Sequence, residues 1–486
     1  MQLTTLLRPL FVGLILCGLL LNSYADVRLP ALVGSNMVLQ RNKPLTIWGW
    51  ADKGEKVTIT FRNNAYTAIT AANGKWKLQL PAQTAGGPFT MTISGHNAIK
   101  LDNILIGDVW VASGQSNMEM PVKGWGKVLN FEQEIAVANY PDIRLFQVKR
   151  ATSTVPLEDV TAWEGGWQSC SPQSIPEFSA TAYFFAREIQ RHENIPVGVI
   201  HSSWGGTVAE AWTSAESLKK MPAFADTVNA FEKLTVPQAP ANPNKATLLY
   251  NAMIHPLLPY SIRGAIWYQG ESNAGRAYQY RELFPLMIKD WRKHWNMGDF
   301  PFYFVQLASY KDKQTEPGAS DWAELREAQL RTLALPNTGM ASAIDIGEAK
   351  DIHPKNKQEV GRRLSLIARA KVYGEKIPYS GPVYLSKTVQ GSKVSLAFNH
   401  TDEGLIVKNG STLKGFEIAG ADKKFHWAQA TISGNRVIVW CNEVPNPVAV
   451  RYSWAINPDG NLYNSAGLPA SPFRTDNWEG ITFGKQ

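Results

Sequence analysis

Cysteine is scarce in this sequence: Cys17, Cys170 and Cys441 are the only three among 486 residues. No two of them lie at metal-ligand spacing, and three are too few for a disulfide-stapled scaffold. Without a leader, Cys170 and Cys441 remain, and the sequence favours two buried thiols over one disulfide between them. Charge is thin as well. Charged residues make up 19% of the chain, and the net charge of +8 is spread without a block of either sign. There is no basic stripe and no nucleic-acid motif, so nucleic acid is excluded as a partner. The mild positive balance is compatible with anionic substrates or surfaces. Long apolar runs are missing too. Beyond the first twenty-five residues, no segment reaches the roughly 18 apolar residues needed to cross a bilayer.

Those first residues carry a different pattern. Arg8 supplies a positive end, Pro9 through Leu21 form a short apolar core, and Ser23-Tyr24-Ala25 offers a cleavage site. Cys17 follows Leu16, which argues against lipoprotein processing. Residues 1–25 are therefore expected to be a signal peptide. The mature chain is expected to be exported, periplasmic or secreted, with no membrane span.

What is abundant is apolar and aromatic. Hydrophobic residues make up 44% of the chain, with 17 Trp and 16 Tyr, which fits a folded globular protein. Aromatics at this density serve β-sheet cores, and exposed ones stack on sugar rings. Residues 26–100 alternate in short bursts such as Leu45–Trp50, Val57–Phe61 and Trp76–Leu80, separated by turn pairs such as Asn73-Gly74. That texture predicts an N-terminal β-sandwich. Residues 101–378 alternate apolar strands (Asp108–Val111, Ile143–Gln147, Gly198–His201, Gly264–Tyr268, Phe302–Leu307, Met340–Ile344) with helical patterns (Thr181–Arg191, Tyr278–Trp295, Trp322–Leu335, Lys357–Val372). This order predicts an α/β domain with a mostly parallel sheet covered on both faces. Residues 379–486 return to strand and turn, predicting a C-terminal β domain.

Four strand ends in the α/β region carry polar groups, and the carboxyl edge of such a sheet is where ligands bind. In Gly114-Gln115-Ser116-Asn117-Met118 a strand stops at a tight turn that exposes a serine hydroxyl. Ser203-Trp204-Gly205-Gly206-Thr207 lets backbone approach a ligand and present an N–H. The strand before it ends in His201, read as a structural histidine. Trp267-Tyr268-Gln269-Gly270-Glu271-Ser272-Asn273 supplies amides and a carboxylate. Either Gln269 or Asn273 is a candidate donor to an oxyanion, and Glu271 a candidate to orient a neighbour. Asp351-Ile352-His353-Pro354 supplies an imidazole, the usual base for a serine nucleophile. A nucleophile, a base and an oxyanion site at one rim would make a serine hydrolase.

Together these four blocks resemble those of the sialate O-acetylesterase family, within the SGNH hydrolase superfamily, over roughly residues 26–480. The resemblance implies a flavodoxin-like three-layer α/β core with flanking β-sandwich regions, and an esterase that needs no metal or cofactor. By that likeness Ser116 is the nucleophile and His353 the base. The oxyanion hole combines the N–H groups of Ser116 and Gly206 with an amide of Gln269 or Asn273. One departure matters. The superfamily places its acid three residues before the histidine, where this chain has Lys350, and Asp351 lies two before. Either Asp351 completes a triad with altered geometry, or a backbone carbonyl orients His353 in a dyad. The implied partner is an O-acetylated carbohydrate, sialic acid first. Arg276 is the candidate to meet its carboxylate, and Glu271 a second candidate substrate-binding residue. The alternatives are an acetylated plant polysaccharide such as acetylxylan, or a carbohydrate-binding protein with an inactive core.

Overall fold

The structure, a computed structural model, describes residues 26–486 apart from position 235. The expected signal peptide, residues 1–25, lies outside the described residues.

Six strands build the central parallel sheet: β1 (Ala98–Gly114), β2 (Tyr140–Gln147), β3 (Val197–Ser203), β4 (Gly264–Tyr268), β5 (Phe302–Gln306) and β6 (Thr338–Ser342). Their spatial order is β2-β3-β1-β4-β5-β6, every neighbouring pair parallel. Leaving out β2, the remaining five follow the flavodoxin-like order. The chain steps from β1 to one side, then returns past it to the other. The crevice at that reversal, at the carboxyl ends of β1, β3 and β4, is the usual ligand position. β3, β4 and β5 are buried along their whole length, as a sheet covered on both faces requires.

Side-chain alternation shows what covers each face. Trp110 and Tyr303 point one way, where Phe185 of α2 (Ala180–Glu193) meets Trp110 edge-on at 5.0 Å. Trp267, Phe302 and Phe304 point the other way, against Phe284 and Trp291 of α3 (Ala277–Trp295). α4 (Asp321–Arg331) packs beside α3, and α5 (Lys357–Lys371) beside α2. The α2–α5 approach needs Gly361, where a Cβ would come within 2.5 Å of Phe184 Cβ. The start of α5 is set by Asn356, whose side chain accepts the Glu359 N–H as an N-cap. The result is a mixed α/β fold with helices on both faces of the sheet.

β1 is much longer than its apolar run suggests. Its first half pairs antiparallel with Gly86–Ser94 and parallel with Val38–Gln40, and its second half enters the central sheet. The expected boundary near residue 100 thus falls inside one continuous strand. The C-terminal region forms further antiparallel sheets over a separate apolar core of Val394, Leu396, Ile418, Val437, Val439 and Val450. Arg326, fully buried on α4, ties this region to the central sheet. Its guanidinium donates to the carbonyls of Leu307, Ala308, Ala455 and Ile456. Cys170 and Cys441 are free thiols, the first buried and the second half-buried. Among the described residues no helix is long and apolar enough to cross a membrane.

Candidate active site

Ser116 is separated from the end of β1 by one residue, Gln115, and opens the short helix α1 (Ser116–Glu119). The turn before it needs glycine. Gly114 has φ +138°, and a Cβ there would lie 2.1 Å from the Tyr268 carbonyl oxygen of β4. A second glycine presses on the serine from the turn after β3: a Cβ on Gly205 would come within 3.2 Å of Ser116 Cβ. The Gly205 N–H donates to Glu119 Oε2 at 2.8 Å, and Glu119 Oε1 takes Arg150 Nε at 2.6 Å. Gly206, at φ +73°, has open space around its Cα. Ser116, as the first residue of a helix, has no intrahelical acceptor for its own N–H.

His353 reaches the serine from the loop before α5, 237 positions away, with Nε2 and Ser116 Oγ 2.9 Å apart. Its other ring nitrogen, Nδ1, lies 3.2 Å from Asp351 Oδ1, and the same oxygen accepts the His353 backbone N–H at 2.9 Å. Burial holds the imidazole pKa below its ordinary value. Lys357 adds to that shift, and Asp351 opposes it without reversing it. A neutral imidazole is what a general base requires. Trp125, largely exposed, sets its edge against the His353 ring at 4.9 Å and 77°.

Behind this pair runs a buried polar network. Asn117 Nδ2 donates to Glu271 Oε1 at 2.7 Å and to the Ile352 carbonyl at 3.1 Å. Lys357 Nζ donates to Asn117 Oδ1 and to the Pro354 carbonyl, both at 2.7 Å. The serine turn and the histidine loop are therefore braced by the same two side chains. Burial pushes Lys357 down to about 7 and raises Glu271, whose Oε2 has no partner among the described residues.

Several residues singled out from the sequence sit elsewhere or are otherwise engaged. Gln269 is fully buried, and its amide donates to the Thr207 carbonyl and to Asn273 Oδ1. Neither hydrogen remains for an oxyanion, which corrects that candidate. Asn273 donates once, to Glu210 Oε2, and keeps its second amide hydrogen. Arg276 does meet a carboxylate, but the chain's own: it binds Glu210 Oε1 and Gln279 Oε1, both at 2.6 Å. Glu271 turns one carboxylate oxygen inward to accept from Asn117 Nδ2. His201 is buried, pairs with Ser203 Oγ at 2.5 Å, and is pushed down to about 3 by burial. The only grouping among the described residues close enough to hold a metal ion is Asp52, Glu55 and His96, which includes neither Ser116 nor His353.

Trp125, Glu119, Asn117 and Lys357 belong to the site without standing out in the sequence. Asn117 lies inside the serine motif itself. Lys357 gives no signal, because lysine is almost never fully buried.

The profile of a family described as carbohydrate esterase, sialic acid-specific acetylesterase, matches residues 106–368. The chain is 31% identical to the sialate O-acetylesterase of Homo sapiens over 493 residues, 92% of each chain. It is 32% identical to that of Mus musculus over 515 residues, covering 92% of this chain and 94% of the relative. Its fold is similar to the crystal structure of a carbohydrate acetylesterase from Xanthomonas citri. The TM-score is 0.85 and the identity 42%, over 93% of this chain and all of that one.

Proposed function

The chain belongs to the carbohydrate esterase family of sialic acid-specific acetylesterases, and from that premise we propose how its site performs the hydrolysis. The protein is a carboxylic ester hydrolase that removes O-acetyl groups from sialic acids or related glycans. Ser116 Oγ attacks the acetyl carbonyl carbon and passes its proton to His353 Nε2. The 2.9 Å contact between these two atoms carries the assignment. Asp351 holds the Nδ1–H of His353 and so fixes the tautomer whose Nε2 lone pair faces the serine. Charge gathers on the former carbonyl oxygen. The N–H groups of Ser116 and Gly206, with the remaining amide hydrogen of Asn273, are its proposed donors. One such donor lowers a barrier by about 3 kcal/mol. Collapse of the tetrahedral intermediate breaks the ester C–O bond, and His353 returns the proton to the leaving sugar hydroxyl. Water, deprotonated by the same imidazole, then cleaves the acetyl-serine.

Outside the site, residues 1–25 serve as an export leader, on the pattern of Arg8, the apolar core and Ala25. An N-terminal β-sandwich, which shares the strand Ala98–Gly114 with the hydrolase core, and a C-terminal β domain at 379–486 flank that core.

The test pairs Ser116→Ala with an organophosphonate probe. The natural chain should become labelled at Ser116. The variant should fold, escape labelling and release no acetyl from O-acetylated sialic acid. Full residual activity in Ser116→Ala would overturn the mechanism. Acetylated xylan assayed beside O-acetylated sialic acid ranks the two substrate classes, and no acetyl release from either would count against the glycan reading.

A further inference from the structure

A cavity of about 680 Å³ lies away from Ser116. It lies between the loop at 313–315 and the C-terminal sheets. Its walls carry two indoles that are not fully buried, Trp427 and Trp440. Trp427 is 42% exposed and is fixed by its Nε1–H, which donates to the Thr315 carbonyl at 2.9 Å. An exposed indole held in one orientation is a ready platform for a ligand with an apolar face.

The polar groups around it are of two kinds. Lys313 and Lys414 both turn to Asp459, at 2.5 and 3.7 Å, and share its one carboxylate while staying largely exposed to solvent. Glu417 is different. Its residue is 1% exposed, it lines the cavity, and its Oε2 has no hydrogen-bond partner among the described residues. A buried carboxyl group left unmatched costs free energy unless a ligand completes it. Burial pushes its pKa up to about 8, so at neutral pH it is mostly a neutral acid with both a donor and an acceptor.

We propose that this cavity is a second saccharide site, binding one or two uncharged pyranose units against Trp427 and Trp440 with their hydroxyls bonded by Glu417 and Asp459. The volume falls in the range of small-ligand pockets. A pyranose presents C–H groups on one face and hydroxyls around its rim, which matches an indole floor with a carboxyl at the edge. Uncharged sugars are favoured over sialic acid because the cations at the rim, Lys313 and Lys414, are largely exposed and already share Asp459, so no buried cation repays the desolvation of a sugar carboxylate. One wall is also bonded to the catalytic loop. Lys311 donates its N–H to the Ala349 carbonyl at 3.0 Å, two positions before Asp351, and Asn457 Nδ2 donates to the Lys311 carbonyl. A glycan anchored here would keep other units of the same chain near Ser116 and raise their effective concentration. The choice of a sugar as ligand rests on the glycan-esterase reading; the geometry of the cavity does not.

The full chain is titrated with xylohexaose, cellohexaose and sialyllactose, followed by tryptophan fluorescence and calorimetry. Saturable binding of at least one neutral hexaose is expected, weakened at least tenfold in Trp427→Ala, restored in large part in Trp427→Phe, and weakened in Glu417→Leu. Circular dichroism checks that each variant folds. No saturable binding of either hexaose would overturn the proposal, as would affinity unaltered in Trp427→Ala or sialyllactose bound more tightly than both. Hydrolysis of 4-nitrophenyl acetate by the natural chain is measured alongside. Its absence would count against the esterase reading alone, since hexaose binding needs no acetyl chemistry.

Discussion

Replacing Asp351 by Asn should remove one charge from the active site and leave its geometry in place. Asp351 Oδ1 faces two donors, the backbone N–H of His353 at 2.9 Å and the ring Nδ1–H at 3.2 Å. An amide oxygen at that point satisfies both, whereas an amide NH2 would meet two N–H groups. The new side chain therefore keeps its oxygen toward the histidine, and the tautomer survives. What is lost is the attraction between the carboxylate and the imidazolium that forms as Ser116 gives up its proton. Two unit charges 4 Å apart attract by about 1 kcal/mol in water and about 4 kcal/mol at an effective dielectric of 20. The Asp351 side chain is 43% exposed and that of His353 26%, which places the pair toward the aqueous end, about 1–2 kcal/mol. At about 1.36 kcal/mol per factor of ten, kcat should fall about 5- to 30-fold with KM little altered. A buried serine-protease aspartate loses about 10⁴ on the same change, because there the wrong tautomer results. The assay is steady-state acetyl release by Asp351→Asn, Asp351→Ala and His353→Ala, with circular dichroism to check folding. A loss of about 10⁴ in Asp351→Asn, matching His353→Ala, would refute the reasoning about the shared oxygen. No loss at all would show that the contact is idle.

Two further outcomes follow from the same neighbourhood. His353 is held below its ordinary pKa, so it takes up a proton only at lower pH, and kcat/KM should persist as pH falls through about 6.5 before declining. An acid limb at or above about 6.5 in the pH profile would contradict this. Lys357→Met removes a cation that lowers the imidazole pKa and leaves Asn117 Oδ1 and the Pro354 carbonyl without their donor. The acid limb should therefore move upward, and kcat should drop roughly tenfold, from about 1–2 kcal/mol of lost positioning. A limb that stays in place would show that the ammonium does not act on His353.

Much of this architecture is legible in the sequence because local patterns and global fold agree. The parallel strands are short apolar runs stopped by polar or glycine-rich turns, and helices expected at Thr181–Arg191 and Tyr278–Trp295 form as Ala180–Glu193 and Ala277–Trp295. The strand Ala98–Gly114 looks short in the sequence, since its first half alternates exposed and buried residues while its second half is buried throughout. That change marks passage from a sheet with one open face to one covered on both. Gln269 and Arg276 show a different limit. A polar side chain at a strand end looks the same in sequence whether it faces the crevice or the interior. Only the packing of Thr207, Asn273 and Glu210 around them decides. Lys357 is the converse case, an ordinary first residue of a helix by sequence that the fold buries completely.

The glycine pair at 205–206 shows that limit most sharply, because two identical residues do two jobs that the sequence cannot separate. At Gly205 the requirement is space: Ser116 Cβ and Glu119 Oε2 already occupy the region a side chain would enter. Its N–H is also engaged, by a carboxylate that Arg150 holds in turn. At Gly206 space is open, and the requirement is the backbone angle of +73°, which a side chain rarely tolerates. The donor proposed for the oxyanion therefore belongs to the glycine whose Cα faces open space, and not to the one whose N–H Glu119 already holds. Gly205, having no side chain, lets its turn approach Ser116. Glu119, the last residue of the helix that Ser116 opens, ties the Gly205 turn to the helix that carries the proposed nucleophile. Glu119→Ala cuts that tie without touching the contact between Ser116 and His353. It should lower kcat for acetyl release and leave the acid limb of the pH profile where His353 sets it. A limb displaced as far as in Lys357→Met would show that the carboxylate acts on the imidazole instead of on the oxyanion turn.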